Sequence, residues 1–223
     1  CGMDVSAKGT LLAVGASSST GSPALHMYSL QNHKWVEKNT ISRENHSVIT
    51  AVKCVSTRNA AVCAALFDAG SNSHDISYHD LTGKVTKEIH GAHSDYITCL
   101  GTANDNENWL LSGSRDKTVR VWDSRQKGGG GGGGGGNAAA NKPAHELRHH
   151  TDTITGIGSY RDLIMISSLD GTMSLWDTRK LKNPIGTKDF GLPLLSVVAT
   201  PHATAVVATT KSINLMTLHP LVV

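Results

Sequence analysis

The stretch Trp109-Leu-Leu-Ser-Gly-Ser-Arg-Asp-Lys-Thr-Val-Arg-Val-Trp-Asp-Ser-Arg125 constrains the fold of this chain more than any other. Trp109 to Ser114 predicts one short strand, Ser114-Arg-Asp-Lys117 a tight polar turn, and Thr118 to Asp123 a second strand. Val119, Val121 and Asp123 alternate with Thr118, Arg120 and Trp122, the period of a pleated element with two unlike faces. Ahead of it, Ala92-His-Ser-Asp95 leads into another apolar run, Tyr96-Ile-Thr-Cys-Leu100. The arrangement returns at Leu163-Ile-Met-Ile-Ser-Ser-Leu-Asp-Gly-Thr-Met-Ser-Leu-Trp-Asp-Thr-Arg179, preceded by His149-His-Thr-Asp-Thr-Ile-Thr155. Asp170 then falls on Asp116, Trp176 on Trp122, Arg179 on Arg125, His150 on His93 and Asp152 on Asp95. A chain that repeats such a unit builds small antiparallel sheets one after another.

A head histidine, a turn aspartate and a closing Trp-Asp resemble the WD repeat, whose four strands form one blade of a β-propeller. The two copies lie farther apart than the ~40–45 residues of that repeat, and the glycine run between them accounts for the excess. The resemblance implies an all-β WD40 propeller. Weaker versions of the unit extend it to about five blades, near 1–40, 46–90, 93–148, 150–190 and 194–223. Tyr28, His79 and Met216 stand at the Trp position in the first, second and fifth units, and Ser73 at the turn aspartate of the second. Seven blades is the common count in the family, and the chain opens on Cys1 in mid-pattern. It therefore reads as part of a seven-bladed ring, with a closed five-bladed ring as the alternative.

Nine consecutive glycines, Gly128–Gly136, cannot repay their backbone entropy, so residues 127–141 are expected to be a flexible insertion. No Lys-Ser/Thr closes the run as a phosphate-binding loop would require.

Composition excludes several classes of function. A net charge of +3 does not indicate nucleic acid. No apolar run reaches the ~20 residues that span a bilayer. Cys1, Cys54, Cys63 and Cys99 are far apart without a Cys-x-x-Cys pair, as buried thiols of an intracellular protein, cytoplasmic or nuclear, would be. His90-Gly-Ala-His93 and His145 with His149-His150 lack cysteine or acidic companions at zinc spacing, so neither metal nor cofactor is expected.

By family resemblance His93, Ser112, Asp116 and Trp122 form a hydrogen-bonded chain, since a half-buried indole N–H and a buried hydroxyl each need a partner. The fourth unit keeps His150, Asp170 and Trp176 but places Ile166 where Ser112 stands, which predicts a network broken at the hydroxyl. A Ser-His-Asp reading of these residues is set aside, because nothing supplies an oxyanion hole. The chain is thus expected to be a non-enzymatic scaffold, docking proteins or peptides within a larger assembly. Tyr96 and Arg115 are the candidate anchors, with Asp95, Asp152 and Leu169 at equivalent places. The alternative rests on a second resemblance. Trp122-Asp-Ser-Arg125 and Trp176-Asp-Thr-Arg179 fit the Trp-Asp-x-Arg box of substrate receptors of a cullin-RING ubiquitin ligase, in which Arg125 and Arg179 would face the adaptor.

Overall fold

A computed structural model describes residues 2–6, 8–16, 22–42, 48–55, 61–103, 106–126, 142–200 and 204–217, so the glycine run lies outside the described residues. Every named element among them is a strand, and no helix is long and apolar enough to cross a membrane. Five antiparallel sheets follow in chain order. Sheet 1 contains β1 (Met3–Val5), β2 (Leu11–Ala16), β3 (Ala24–Gln31) and β4 (Lys34–Ser42). Sheet 2 contains β5 (Val48–Cys54), β6 (Val62–Asp68), β7 (Ser73–His79) and β8 (Val85–His93). Sheet 3 contains β9 (Ile97–Ala103), β10 (Asn106–Ser114), β11 (Thr118–Asp123) and β12 (His145–Arg148). Sheet 4 contains β13 (Ile154–Tyr160), β14 (Leu163–Ser168), β15 (Thr172–Asp177) and β16 (Gly186–Asp189). Sheet 5 contains three described strands, β17 (Leu194–Thr200), β18 (Thr204–Thr209) and β19 (Ile213–Thr217).

The residues form two compact units, Cys1–Ile97 with Asp123–Pro143, and Thr98–Trp122 with Ala144–Val223. In the first, Leu11, Ala13, Leu25 and Met27 of sheet 1 pack on Ile49, Val52, Cys54, Val62, Ala64 and Leu66 of sheet 2. In the second, sheet 4 is covered on both faces. Ile154, Ile164, Ile166 and Trp176 meet Ala103, Leu111, Val119, Val121 and Leu147 of sheet 3, while Met165 and Met173 meet Leu194, Val197, Ala205 and Val207 of sheet 5. The alternation read from β15 is what lets one short strand feed two cores, Trp176 on one side and Met173 on the other.

Close stacking limits side-chain size where sheets 3 and 4 meet. A Cβ on Gly113 would sit 2.6 Å from Cγ2 of Ile154 and 2.7 Å from Sγ of Cys99, so only glycine fits. Thr98 stitches the same sheets, its hydroxyl donating to the carbonyls of Ile154 (2.6 Å) and Gly113 (3.0 Å). Cys54 and Cys63 are buried and Cys99 half-buried, all as free thiols. Burial pushes Cys54 and Cys99 each up to about 12, so both are protonated and poor nucleophiles.

Candidate functional site

In each sheet the segment entering the first strand and the turn joining the second to the third strand lie at the same end, because neighbouring strands run antiparallel. Side chains from the entry therefore reach the turn. Sheet 4 shows the arrangement in full. Asp170 accepts from the Thr172 hydroxyl (2.7 Å) and from the backbone N–H groups of Thr172 and Thr151 (both 2.9 Å), pinning the turn to the entry. His150 Nδ1 lies 3.0 Å from Asp170 Oδ2, and His150 Nε2 lies 2.7 Å from Ser174 Oγ. Trp176 Nε1–H donates to that same Oγ at 2.9 Å. Since indole can only donate and carboxylate only accept, the chain runs Trp176 N–H to Ser174, Ser174 O–H to His150 Nε2, and His150 Nδ1–H to Asp170.

This corrects the expectation of a broken network in the fourth unit. Ile166 does replace Ser112, and it lies buried in the core. The hydroxyl instead comes from Ser174, two residues before Trp176 on the same strand and hence on the same face. Sheet 2 repeats the device: Ser77 Oγ lies 2.8 Å from Nε2 of His79, the residue at the Trp position. A serine two places before the Trp position in both units was the readable signal for it.

Burial lowers the pKa of His150 against the pull of Asp170, which favours the neutral imidazole the chain requires. Burial works to raise Asp170, but the Thr172 hydroxyl and the N–H groups of Thr151 and Thr172 hold it below its ordinary value. Ser174, His150 and Asp170 have the connectivity of a nucleophilic triad. Ser174 is nonetheless fully buried, and its oxygen already accepts from Trp176. No carbonyl carbon can reach it, so the chemistry left to the triad is structural.

Sheet 3 holds the indole differently. Trp122 Nε1–H donates 2.8 Å to Ser112 Oγ across the strands, and Asp116 accepts from the hydroxyl (2.6 Å) and N–H (3.0 Å) of Thr118. His93 is buried at the end of β8, paired with His74, so it closes the outer strand of sheet 2 rather than standing beyond it. In sheet 2 the turn is capped by Asp68 through Gly70 N–H (2.9 Å) and Ser71 Oγ (2.6 Å). Ser73, which occupies the turn-aspartate position, donates to buried Asp75, which also faces His90 Nδ1 at 3.1 Å.

Of the candidate anchors, Tyr96 is half-buried. Its ring lies 4.5 Å from that of Phe67 and 5.0 Å from that of His74, and Phe67 stacks on His74 at 5.0 Å. Phe67 and His74 sit opposite each other in β6 and β7, so Tyr96 rests on a rigid aromatic bed that its sequence neighbours do not announce. Arg115 is exposed at the β10–β11 turn and Leu169 is half-buried at the β14–β15 turn. Asp95 and Asp152 turn inward to the backbone, accepting from the N–H of the next residue, Tyr96 and Thr153, each at 2.6 Å.

The two box arginines behave alike at the opposite end of their strands. Arg125 Nη2 donates 2.6 Å to Asp123 Oδ2 and its Nε 3.0 Å to Oδ1; Arg179 Nη2 and Nε reach Asp177 at 2.7 and 2.9 Å. Hydrogen bonding from Arg179 holds the Asp177 carboxyl at about 2. Arg179 also approaches Asp162 (3.5 Å), while Lys87 Nζ donates 3.2 Å to the Gln126 carbonyl beside Arg125. Among the described residues no group of three or more His, Cys, Asp or Glu is arranged to hold a metal ion.

Residues 83–123 and 141–177 match the family described as WD domain, G-beta repeat. Over these residues the chain carries WD40 repeats. The match falls mainly on sheets 3 and 4, which carry the complete Trp-Asp signature, and the all-β sheets are consistent with the propeller fold of that family. Among similar proteins, WD repeat-containing protein 81 of Danio rerio is 28% identical over 66% of this chain and 7% of its own length. Ribosome biogenesis protein YTM1 of Saccharomyces cerevisiae is 35% identical over 34% of the chain and 16% of its own length. A DDB1- and CUL4-associated factor 11 homolog of Caenorhabditis elegans is 25% identical over 71% and 26%. The chain thus spans a small part of the length of each of these relatives.

Proposed function

We propose that this WD40 chain is a non-enzymatic scaffold that docks a protein or peptide at the end of its blade units where entry segments and tight turns emerge. The observation that carries the reading is Tyr96 seated on Phe67 and His74. An aromatic side chain half-exposed on a rigid bed loses little entropy when a partner covers the rest of it, which is the physical basis of a binding hot spot. Arg115, exposed at the β10–β11 turn, is a separate candidate anchor. The polar groups behind these turns are spent on holding their own backbone, which preorganises the surface. Similarity to a protein named for ribosome biogenesis and one named for association with DDB1 and CUL4 supports a role inside an assembly, without choosing the assembly.

The test is affinity purification of the tagged chain followed by quantitative comparison with Tyr96→Ala and Arg115→Ala. Specific co-purifying proteins should fall at least tenfold in each variant; the thermal midpoint of Arg115→Ala, an exposed change, should stay within about 2 °C, and Tyr96→Ala, which also loses ring packing, is compared at a temperature where its circular dichroism matches that of the unaltered chain. An unchanged set of partners in both variants removes this surface from consideration.

The ubiquitin-ligase adaptor reading draws support from the paired, exposed Arg125 and Arg179 and from the DDB1- and CUL4-associated relative. It is the weaker reading, because each arginine already engages its own aspartate through Nε and Nη2. An adaptor would have to meet the outer edge of the guanidinium. Loss of a co-purifying adaptor in the double variant Arg125→Ala, Arg179→Ala, with the midpoint unchanged, would promote it.

A further inference from the structure

Sheet 2 packs on sheet 1 through Val62, Ala64 and Leu66 of β6, so the alternate residues of that strand belong to its other face. There the register places Cys63, Tyr78 and Lys87 in one row across β6, β7 and β8. Tyr78 is 2% exposed, and its hydroxyl has no hydrogen-bond partner among the described residues. Cys63 beside it is fully buried. Lys87 is half-buried, with its Nζ 5.7 Å from the centre of the Tyr78 ring. That Nζ donates 3.2 Å to the Gln126 carbonyl, which brings the turn from Asp123 to Gln126 up to the row.

The carboxylate of this turn is already committed. Asp123 accepts from Nε, Nη2 and the backbone N–H of Arg125. One carboxylate therefore stands beside two cations, while a buried hydroxyl donor lacks an acceptor. Both deficits have the same sign, since each would be met by a negatively charged oxygen. Buried polar groups are nearly always matched, and an absent ligand is one of the few reasons for an exception. Burial holds the Lys87 pKa below its ordinary value against the opposing pull of Asp123 and Cys63. Burial also pushes the Tyr78 hydroxyl up, with Cys63 and Asp123 adding to the effect, so it stays a neutral phenol able to donate.

We propose that Lys87 and Tyr78, with Arg125 at the rim, form an anion site that takes a carboxylate. One carboxylate oxygen accepts from the Tyr78 hydroxyl and the other from Lys87 Nζ, and such charge-assisted bonds are about twice as strong as neutral ones. The anion enters past Arg125, whose side chain is 63% exposed. Lys87 covers the ring on a long flexible stem, so it can swing aside without moving either strand. The carboxylate can belong to a free small acid or to an acidic side chain of a docked protein. Tyr78 and Lys87 lie toward the β7–β8 end of sheet 2, away from Phe67 and His74, so the inference does not rest on the docking surface at Tyr96.

Two-dimensional NMR titration of the full chain at constant ionic strength tests it. In one arm sodium acetate replaces sodium chloride; in the other a tetraglutamate peptide is added, with tetraglutamine as its control. The backbone amides of Tyr78, Lys87 and Gln126 should shift saturably in at least one arm. Shifts with acetate assign the site to free small acids, and shifts with tetraglutamate alone assign it to a protein side chain. Tyr78→Phe, which removes only the hydroxyl, should weaken binding at least about threefold, and Lys87→Met should abolish it. Without carboxylate, Tyr78→Phe should melt no lower than the wild type, because its hydroxyl has no bond to lose. That variant also keeps the test decisive if Lys87→Met does not fold. No saturable shift in either arm, undiminished binding by either folded variant, or a lower melting temperature for Tyr78→Phe without carboxylate would each overturn the proposal.

Discussion

Sheets 4 and 1 carry the same register of residues in different surroundings. In sheet 4 the signature residue Trp176 is 1% exposed and its N–H enters a chain through Ser174 and His150 to Asp170. In sheet 1 the equivalent Tyr28 is half-buried, stacked 6.4 Å from His26. His26 in turn meets an exposed carboxylate, Glu37. Both sheets form a polar network beside an aromatic ring. Burial on both faces is what turns such a network from a surface feature into a stability determinant, because a buried donor without a partner costs far more than an exposed one.

Removing the ring should give the largest contrast. Trp176→Ala opens a cavity in a fully covered sheet and should cost about 3–5 kcal/mol, while Tyr28→Ala should cost under about 1 kcal/mol; urea titration of both variants checks it. Equal losses would mean that sheet 1 is covered in solution. Next in size, Ser174→Ala strands both Trp176 N–H and His150 Nε2 and should cost about 1–3 kcal/mol. Thr40→Ala, on the exposed network of sheet 1, should leave the urea midpoint almost unmoved.

Acidification sharpens the comparison further. His150 has a folded pKa below the 6.5 of the unfolded chain, so its neutral form stabilises the fold above that value. The contribution is lost as pH falls through the lowered folded pKa, when the unfolded chain binds the proton more tightly. Melting temperature should therefore fall below about pH 6.5, and that slope should flatten in His150→Gln. Asp170 does not share this window, because its lowered pKa acts only below the ordinary 3.8. A small effect is also expected for the box arginines, whose guanidinium groups lie at the surface. Arg125→Ala and Arg179→Ala should each move the thermal midpoint by no more than about 2 °C in differential scanning fluorimetry.

The strands and turns of sheets 3 and 4 were legible because period-two alternation and a turn aspartate are local signals. The pairing of Arg125 with Asp123 and of Arg179 with Asp177 is local too, two residues apart in each case, and emerges from the side-chain geometry. The donor of the missing hydroxyl was not read correctly, although it too is local. Ser112 serves Trp122 from the second strand and Ser174 serves Trp176 from the third, so the repeat position of one does not mark the other. The bed beneath Tyr96 was out of reach for another reason. Phe67 and His74 lie far from it in sequence, and nothing in the pattern of either strand marks which residue will stack on them.

The sequence by itself determined the all-β class, the repeat and the order of strands within each sheet. Hydrophobic alternation and turn chemistry act over a few residues, and a repeated unit imposes the same solution each time. Only the tertiary structure decided which faces of those sheets are covered. Val206 and Val207 are neighbours with the same side chain, yet Val207 is fully buried and Val206 half-buried. What separates them is whether another sheet lies ~10 Å away, a long-range fact that no local pattern encodes.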